Sequence, residues 1–302
     1  MVDMKLGFIG LGKMGLPMVK RLVAAGHEVV VYDLNQEAAA QATSYGATAA
    51  KTTEALMAQL GQPAIVWLMI PAQVVDQQLG ELLPHLPKGS VIIDGGNSDY
   101  RLTLKRSQQA QAAGVTLVDV GTSGGVLGGN RGYCMMVGGE DAVVTKLAPL
   151  FEALAEPQGW QHVGPSGAGH YVKMVHNAIE YGLMESYAEG YHMLKEGPFE
   201  NLDLGRIGGL WQHGSIIDSL LNDLIKEALT ENPSLEGIEG SVAESGEARW
   251  TLEEAARHHI SLPAIQAALD VRLQSQKGQT NFATKLLAAM RNKFGGHALN
   301  KK

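Results

Sequence analysis

The sequence contains a single cysteine, Cys134, among 302 residues. One thiol excludes an internal disulfide framework and supplies no cysteine cluster for a metal ion. No stretch approaches the roughly 20 consecutive apolar residues that span a membrane. The opening segment, "MVDMKLGFIG", also lacks the long apolar run of a secretory signal peptide. These absences predict a soluble cytoplasmic protein with no membrane partner and no metal site.

Basic runs are missing too, apart from Lys301-Lys302, and the formal net charge is −7. Proteins that bind nucleic acid usually present a basic patch, so we expect no nucleic-acid partner. A small anionic substrate is still compatible with this charge, because two or three local cations can bind one inside an acidic protein. The composition, 45% hydrophobic and 18% charged, is that of a globular chain long enough for one large domain or two smaller ones.

A glycine-rich turn follows the first apolar segment. The pattern at 4–9 predicts a buried strand, "GLGKMG" at 10–15 predicts the turn, and the apolar spacing after it predicts a helix that ends at Gly26. The β-branched residues of "EVVVYD" at 28–33 predict a second strand. Strand, glycine turn, helix and strand in this order make up a Rossmann unit.

Each glycine of this turn has a predicted use. Gly10 allows the tight turn, Gly12 lets the backbone approach a pyrophosphate, and Gly15 lets the helix pack closely. The helix N-terminus then supplies N–H donors to the phosphates. We predict that a dinucleotide contacts the whole turn: Gly10, Leu11, Gly12, Lys13, Met14 and Gly15.

Asp33 ends the second strand, about where a carboxylate accepts hydrogen bonds from the adenosine ribose. Its neighbours in "DLNQE" include no Arg or Lys to pair with the 2′-phosphate of NADP, and a carboxylate would repel that group. The sequence therefore predicts NAD as the cofactor. Taken alone, Asp33 is also compatible with an ordinary turn residue at a strand end.

Strands and helical stretches continue to alternate, with strands predicted at 64–70, 90–94 and 115–120 and closing strands at 133–139 and 160–164. This alternation indicates a parallel, doubly wound α/β sheet, whose ligands bind at the carboxyl ends of the strands. Three loops are predicted there: "MIPA" (69–72), "DGGNS" (94–98) and "GTSGG" (121–125). We expect Met69, in the first of them, at the cofactor.

The β pattern stops near Pro165, so we predict a Rossmann-type domain over 1–164 and an all-helical domain with a C-terminal tail over 165–302. The second domain opens with one long predicted helix, from near Gly167 to Lys195. Further amphipathic helices are predicted at 251–260, 262–276 and 282–294.

The long helix carries four polar residues on one face, because they are spaced by three, four and seven positions: Lys173, His176, Asn177 and Glu180. This face is either a solvated surface or a row of catalytic groups directed at a pocket. An exposed face usually repeats Glu–Lys pairs, and this one does not. Spacing alone leaves both interpretations open.

The strings "KMVHNAIEYG" (173–182), "DGGNS", "SGG" and "RNKFGGH" (291–297) together resemble 6-phosphogluconate dehydrogenases, over nearly the whole chain. The "GLGKMGLPM" string is shared with the wider β-hydroxyacid dehydrogenases. The resemblance implies oxidation of C3 of 6-phosphogluconate, loss of CO2 and release of ribulose 5-phosphate, a step of the pentose phosphate pathway. The chain resembles the short, NAD-using members, not the long members with a duplicated helical half.

The resemblance also implies roles for individual residues. Lys173 matches the base that takes the 3-hydroxyl proton, and Glu180 matches the acid that protonates C1 after decarboxylation. An ordinary lysine has a pKa near 10.4, so this role requires burial or a neighbouring cation to lower the pKa. The remaining implied substrate contacts are Asn97, which also lies at the cofactor, and Ser123, Gly124, Gly125, His176 and Asn177.

At the phosphate end, Tyr181 and Arg272 match two contacts of the family. Arg291 and His297 match a pair that comes from the tail of the neighbouring subunit, which implies a homodimer or a dimer of dimers with exchanged tails. One departure concerns "VAESGEARW" (242–250), where long members carry a phosphate-binding lysine and this chain has Ser245. Whether the substrate is phosphorylated stays open at this point.

Two rival functions remain. One is another β-hydroxyacid dehydrogenase without decarboxylation, for example one acting on 3-hydroxyisobutyrate, although that group typically has Asn at the position of His176 and lacks the Glu180-Tyr181 pair. The other is an NAD-sensing protein that has lost catalysis, against which the presence of Lys173 and Glu180 argues.

Overall fold

A computed structural model describes residues 3–296 of the chain. The N-terminal part forms one eight-stranded sheet of order β3-β2-β1-β4-β5-β6-β7-β8. Its strands are β1 (Lys5–Ile9), β2 (Glu28–Tyr32), β3 (Thr48–Ala49), β4 (Ile65–Leu68), β5 (Val91–Asp94), β6 (Thr116–Ser123), β7 (Tyr133–Gly138) and β8 (Ala155–Gly164). Neighbouring strands are parallel except β6 and β7.

Helices cover both faces of this sheet. They are α1 (Gly15–Ala24), α2 (Gln36–Ser44), α3 (Thr53–Met57), α4 (Ala72–Leu82), α5 (Tyr100–Ala112), α6 (Gly128–Arg131) and α7 (Asp141–Leu154). Strand side chains alternate between two apolar cores: Val29 and Val31 belong to the core with α1, α2 and α7, and Val30 belongs to the core with α3, α4 and α5. The strands are apolar on both sides because both faces are buried.

The order in which strands are added to the sheet reverses between β1 and β4. The chain runs outward through β2 and β3, then returns to the other side of β1 to form β4. Loops after two such strands enclose a crevice at the carboxyl edge, where doubly wound sheets bind their ligands. The predicted cofactor residues after β1 and β4 therefore adjoin this point.

The C-terminal part is helical: α8 (Ala168–Glu196), α9 (Leu204–Trp211), α10 (Leu220–Glu231), α11 (Glu247–Arg257), α12 (Pro263–Ser275) and α13 (Phe282–Gly295). Its core includes the buried Tyr191, whose hydroxyl donates to Asn222 Oδ1 at 2.7 Å. Helix α13 begins with a reciprocal capping box between Asn281 and Thr284 and ends at Gly296 in the left-handed conformation.

The predicted fold class, a doubly wound α/β domain followed by an all-helical domain, is confirmed. The chain forms two compact units, Met1–Met174 and Val175–Lys302, with the division inside α8. The predicted domain boundary between residues 164 and 165 stays a prediction. Among residues 3–296, no helix combines the length and apolar character needed to cross a membrane.

Candidate active site

The glycine turn after β1 shows why each of its glycines is needed. A Cβ on Gly10, whose φ is +100°, would lie against the Met69 carbonyl oxygen and 2.8 Å from Ile70 Cγ2. A Cβ on Gly15 would lie against the Gly10 carbonyl group, 3.0 Å from its carbon. At Gly12, by contrast, a Cβ would meet no described atom within 4 Å. Protein packing explains the first and third glycines, and the open space at Gly12 is compatible with the close approach of a ligand.

Helix α1 begins beside this turn without a side-chain cap, whereas α2, α3 and α5 each have one. Its first N–H groups are therefore not bonded to a capping side chain, as an anion site at a helix N-terminus requires. Asp33, at the end of β2, fixes the turn: its carboxylate accepts the Leu11 N–H at 2.5 Å and the Asn35 N–H at 2.7 Å. These residues fit a bound dinucleotide.

The loop after β5 presents Asn97 on the surface between two buried neighbours, Gly96 and Ser98. Beneath it lies Asp94, which accepts the Gly96 N–H at 3.2 Å and the Ser98 hydroxyl at 3.2 Å. Arg106 donates to the Ser98 hydroxyl at 3.0 Å. Burial raises the pKa of Asp94, while His170 and Arg106 oppose that rise. The network holds the loop, and Asn97 projects from it.

Lys173 lies against the end of β6. A Cβ on Gly121 would fall against Lys173 Cβ, 3.1 Å from its Cγ and 2.6 Å from the Gly169 carbonyl oxygen. The lysine is only 5% exposed. The strand and the first turn of α8 approach this closely because Gly121 and Gly169 have no side chains. The solvated-surface interpretation therefore does not hold for Lys173.

Asp119, the fourth of the eight residues of β6, fixes this first turn. Its fully buried carboxylate accepts the Gly167 N–H at 2.6 Å and the His170 N–H at 2.9 Å. An acidic group at a helix N-terminus bonds the unpaired N–H groups and complements the helix dipole. The loop predicted at 121–125 begins later than expected, because β6 continues to Ser123; Gly124 and Gly125 follow it, and both have positive φ. The predicted substrate loop thus starts from the strand that positions Lys173.

In the second unit, His176 and Asn177 are half-buried and bonded to one another. Asn177 Nδ2 donates to Glu247 Oε1 at 3.0 Å, so its Oδ1 is the acceptor for His176 Nδ1 at 2.9 Å. His176 Nδ1 is therefore the donor in this bond, and in a neutral ring that tautomer makes Nε2 an acceptor. On α8, Glu180 is half-buried, whereas the apolar Ile179 and Leu183 are 53% and 51% exposed.

Tyr181 is the centre of a cationic cluster. The Arg272 guanidinium stacks on its ring, 3.3 Å from the centroid. Burial lowers the pKa of both Arg272 and Arg291, Arg291 lowers that of Arg272 further, and the Tyr181 hydroxyl opposes both changes. Arg291 is therefore within electrostatic range of Tyr181 and Glu180 in the same chain. His297, its predicted companion, lies outside the described residues.

Comparison with known proteins identifies both units. The sequence model for the NAD binding domain of 6-phosphogluconate dehydrogenase matches residues 5–166, and the model for the C-terminal domain of 6-phosphogluconate dehydrogenase matches residues 169–293. The chain belongs to the 6-phosphogluconate dehydrogenase family. The resemblance predicted from the sequence strings is confirmed, and the N-terminal unit is an NAD-binding domain.

Among relatives, a Haloferax volcanii protein named 6-phosphogluconate dehydrogenase, NAD(+)-dependent, decarboxylating, is 41% identical over 99% of both chains. Plasmodium falciparum 6-phosphogluconate dehydrogenase has a similar structure, with a TM-score of 0.81 and 30% identity, covering 91% of this chain and 62% of that one. This chain thus spans about three fifths of that longer relative. A Mycobacterium tuberculosis 3-hydroxyisobutyrate dehydrogenase has a TM-score of 0.74 at 21% identity, which shows a shared fold only.

Three residues that support the candidate site were not predicted from the sequence: Asp119, Glu247, and Ser245 in its role as a contact of Tyr181. The signal for Asp119 was an acidic residue inside the apolar string "VTLVDV". Within residues 3–296, no group of three or more His, Cys, Asp or Glu side chains is arranged to hold a metal ion.

Proposed function

We propose that this chain oxidises 6-phosphogluconate at C3 with NAD and decarboxylates the product, releasing ribulose 5-phosphate, CO2 and NADH. Family membership and the named activity of the Haloferax volcanii relative support the reaction. The proposed compartment is the cytoplasm, where free NAD and sugar phosphates occur together. Residues of the first unit support cofactor binding and proton removal, and residues of the second unit support substrate binding and the final protonation.

The observation that favours a phosphorylated substrate is the pair Arg272 and Arg291. Arg272 is 2% exposed and Arg291 is 9% exposed, and burial lowers the pKa of both although Glu180 acts to raise it. A buried cation is costly unless an anion compensates it. Two such cations beside the Tyr181 hydroxyl suit a phosphate group, which accepts charge-assisted hydrogen bonds from guanidinium. Gluconate and 3-hydroxyisobutyrate each have one anionic group, the carboxylate, and lack the second anion that 6-phosphogluconate offers to these cations.

In the proposed reaction, Lys173 takes the proton of the C3 hydroxyl. NAD, when bound, supplies the acceptor for the hydride that leaves C3. The resulting 3-keto acid loses its carboxyl group as CO2, and the electron pair of the broken C1–C2 bond stays on C2 as an enediolate with the C3 oxygen. Glu180 then protonates that carbon, which is C1 of ribulose 5-phosphate. His176 and Asn177 bind the sugar hydroxyls, with Glu247 holding the Asn177 amide so that the His176 Nε2 acceptor is oriented.

Asn97 and Ser123 to Gly125 are proposed to contact the substrate from the loops after β5 and β6. The cofactor contacts proposed are the glycine turn, Asp33 and Met69. Asp33 supports NAD over NADP, because its carboxylate would face a 2′-phosphate with like charge. This preference is measured as the ratio of kcat/KM with each cofactor, and a higher value with NADP would contradict it.

A substrate panel tests the proposal. The purified protein is assayed for NADH formation with 6-phosphogluconate, gluconate and 3-hydroxyisobutyrate. We expect kcat/KM for 6-phosphogluconate to exceed that for gluconate by about 100-fold, the effect of two lost charge-assisted hydrogen bonds. Arg272→Met, which removes one of the two cations, should reduce this difference about tenfold without changing kcat/KM for gluconate.

Three results of the panel would contradict the proposal in different ways. Preferred oxidation of 3-hydroxyisobutyrate would assign the chain to the non-decarboxylating rival. NAD binding without turnover of any of the three compounds would favour a sensor. Equal activity on gluconate and 6-phosphogluconate would contradict the phosphate assignment.

The proposed assembly is a homodimer or dimer of dimers in which the partner tail contributes His297; Arg291, expected to come with it, is instead within electrostatic range of Tyr181 in its own chain. Co-expression of Lys173→Met chains with His297→Ala chains tests this. If His297 acts on the partner's site, mixed dimers contain one site with both residues intact, and activity exceeds that of either variant alone. If mixed dimers form and no activity returns, the tail serves its own chain.

A further inference from the structure

One residue, Ser245, holds the Tyr181 hydroxyl from two directions. The Ser245 backbone N–H donates to Tyr181 Oη at 3.0 Å, and the Ser245 hydroxyl lies 3.1 Å from the same oxygen. A backbone N–H can only donate, so the phenol oxygen is an acceptor here. If the serine hydroxyl also donates, the phenol accepts twice and its own proton is directed elsewhere.

The turn that carries Ser245 is tightly fixed. Glu244 accepts the Gly246 N–H at 2.7 Å and an Arg249 guanidinium N–H at 2.5 Å. Gly246 has φ +100°, and a Cβ there would lie 2.7 Å from the Trp250 ring. Arg249, the only basic residue of the segment 242–250, is thus bonded to Glu244. The turn presents a serine to Tyr181 and directs no further cation at it.

The Tyr181 ring in turn carries Arg272. The guanidinium lies flat against the ring, and its Nη2 approaches Met184 Sδ at 3.6 Å. Glu180 and Glu185 are within electrostatic range of Arg272, and the aromatic face sets the plane of its guanidinium. A rotation of the Tyr181 ring would therefore move the guanidinium with it.

We propose that Ser245 is a positioning residue for the anionic end of the substrate: it fixes the Tyr181 phenol, which orients Arg272 and donates its own hydrogen to the bound phosphate. This inference rests on the proposed function. It explains how a site without a lysine in 242–250 is organised for phosphate: two arginines supply charge, and the serine–tyrosine pair supplies geometry.

Four variants test the inference: Ser245→Ala, Ser245→Thr, Tyr181→Phe and the Ser245→Ala/Tyr181→Phe double variant. Ser245 is exposed, so its substitution leaves the core intact. We expect Ser245→Ala to raise the KM for 6-phosphogluconate about fivefold to tenfold, the effect of one hydrogen bond, with kcat and the KM for NAD changed less than about twofold. Ser245→Thr, which keeps the hydroxyl, should restore the wild-type KM.

The double variant separates positioning from a direct contact. If Ser245 acts through the phenol oxygen, its removal adds nothing once that oxygen is gone, so the double variant has the KM of Tyr181→Phe alone. Multiplying effects would overturn the inference, as would an unchanged KM in Ser245→Ala or a failure of threonine to restore it. A wild-type protein inactive on 6-phosphogluconate would instead contradict the proposed function itself.

Discussion

One methyl group added at Gly121 tests whether β6 sets the position of the proposed base. The new Cβ of Gly121→Ala would lie 2.6 Å from the Gly169 carbonyl oxygen and 3.1 Å from Lys173 Cγ, and closer still to Lys173 Cβ. Relaxed contacts between carbon atoms are about 3.5–4.0 Å long. Since the obstacles are backbone atoms and the base of a side chain, the start of α8 has to move by roughly 1 Å.

The expected consequence is larger for catalysis than for folding. Overpacking costs about 1–3 kcal/mol of unfolding free energy, whereas a misplacement of about 1 Å at a reacting group costs on the order of 100-fold in rate. Gly121→Ala should therefore reduce kcat about 100-fold, with the KM for NAD changed less than about twofold because the glycine turn follows a different strand. Urea denaturation and steady-state kinetics measure the two effects.

Gly139→Ala is the matched control. Its Cβ would lie 3.1 Å from Val118 Cγ2 and 3.2 Å from Val144 Cγ2, a tight contact in the same unit that does not include Lys173. We expect it to lower stability and to retain most of kcat. If the two variants lose kcat equally, the position of Lys173 against β6 does not determine its effect on the rate, and this prediction is contradicted.

Three further predictions concern separate parts of the chain. Gly12→Ala, where the Cβ meets no described atom, should leave the unfolding free energy unchanged and raise the KM for NAD at least about tenfold; an unchanged KM would contradict a dinucleotide at this turn. Asp119→Asn replaces a buried acceptor of two N–H groups, so urea denaturation should show a loss of about 2–3 kcal/mol, and no loss would contradict its capping role. Burial raises the pKa of Glu185 from 4.5 to about 7, so the native state binds the proton more tightly than the unfolded state; this stabilisation is present below pH 4.5 and is lost as the pH rises through 7. Glu185→Gln should thus be more stable than wild type by up to about 3 kcal/mol at pH 8.5 and equal to it at pH 4, and a difference independent of pH would contradict the burial argument.

Seven of the eight strands were predicted, because their signals are local, and the two-residue β3 (Thr48–Ala49) was not. The β-branched string at 28–33 forms β2, and the glycine turn lies where its spacing indicates. The long helix predicted from near Gly167 to Lys195 is α8, Ala168–Glu196. Period and capping residues act over a few positions, so one sequence contains them.

The supports of the site were not predictable, because their partners are distant in the chain. Asp119 caps a helix 48 residues later, and Glu247 holds an amide 70 residues earlier. The only local signal of either pair is the acidic Asp119 inside an apolar strand. Spacing likewise placed four polar residues on one face of α8 but contained no information on their burial. Lys173 is buried because Gly121 and Gly169 let β6 approach the helix closely.

The most direct test of the account follows the carboxyl carbon of the substrate. 6-Phosphogluconate labelled at C1 is incubated with the protein and NAD, and labelled CO2 and NADH are measured in the same reaction. Oxidative decarboxylation predicts that the two products accumulate in equal amounts. Formation of NADH with the label retained in a stable acid would contradict decarboxylation and assign the chain a simple β-hydroxyacid dehydrogenase reaction.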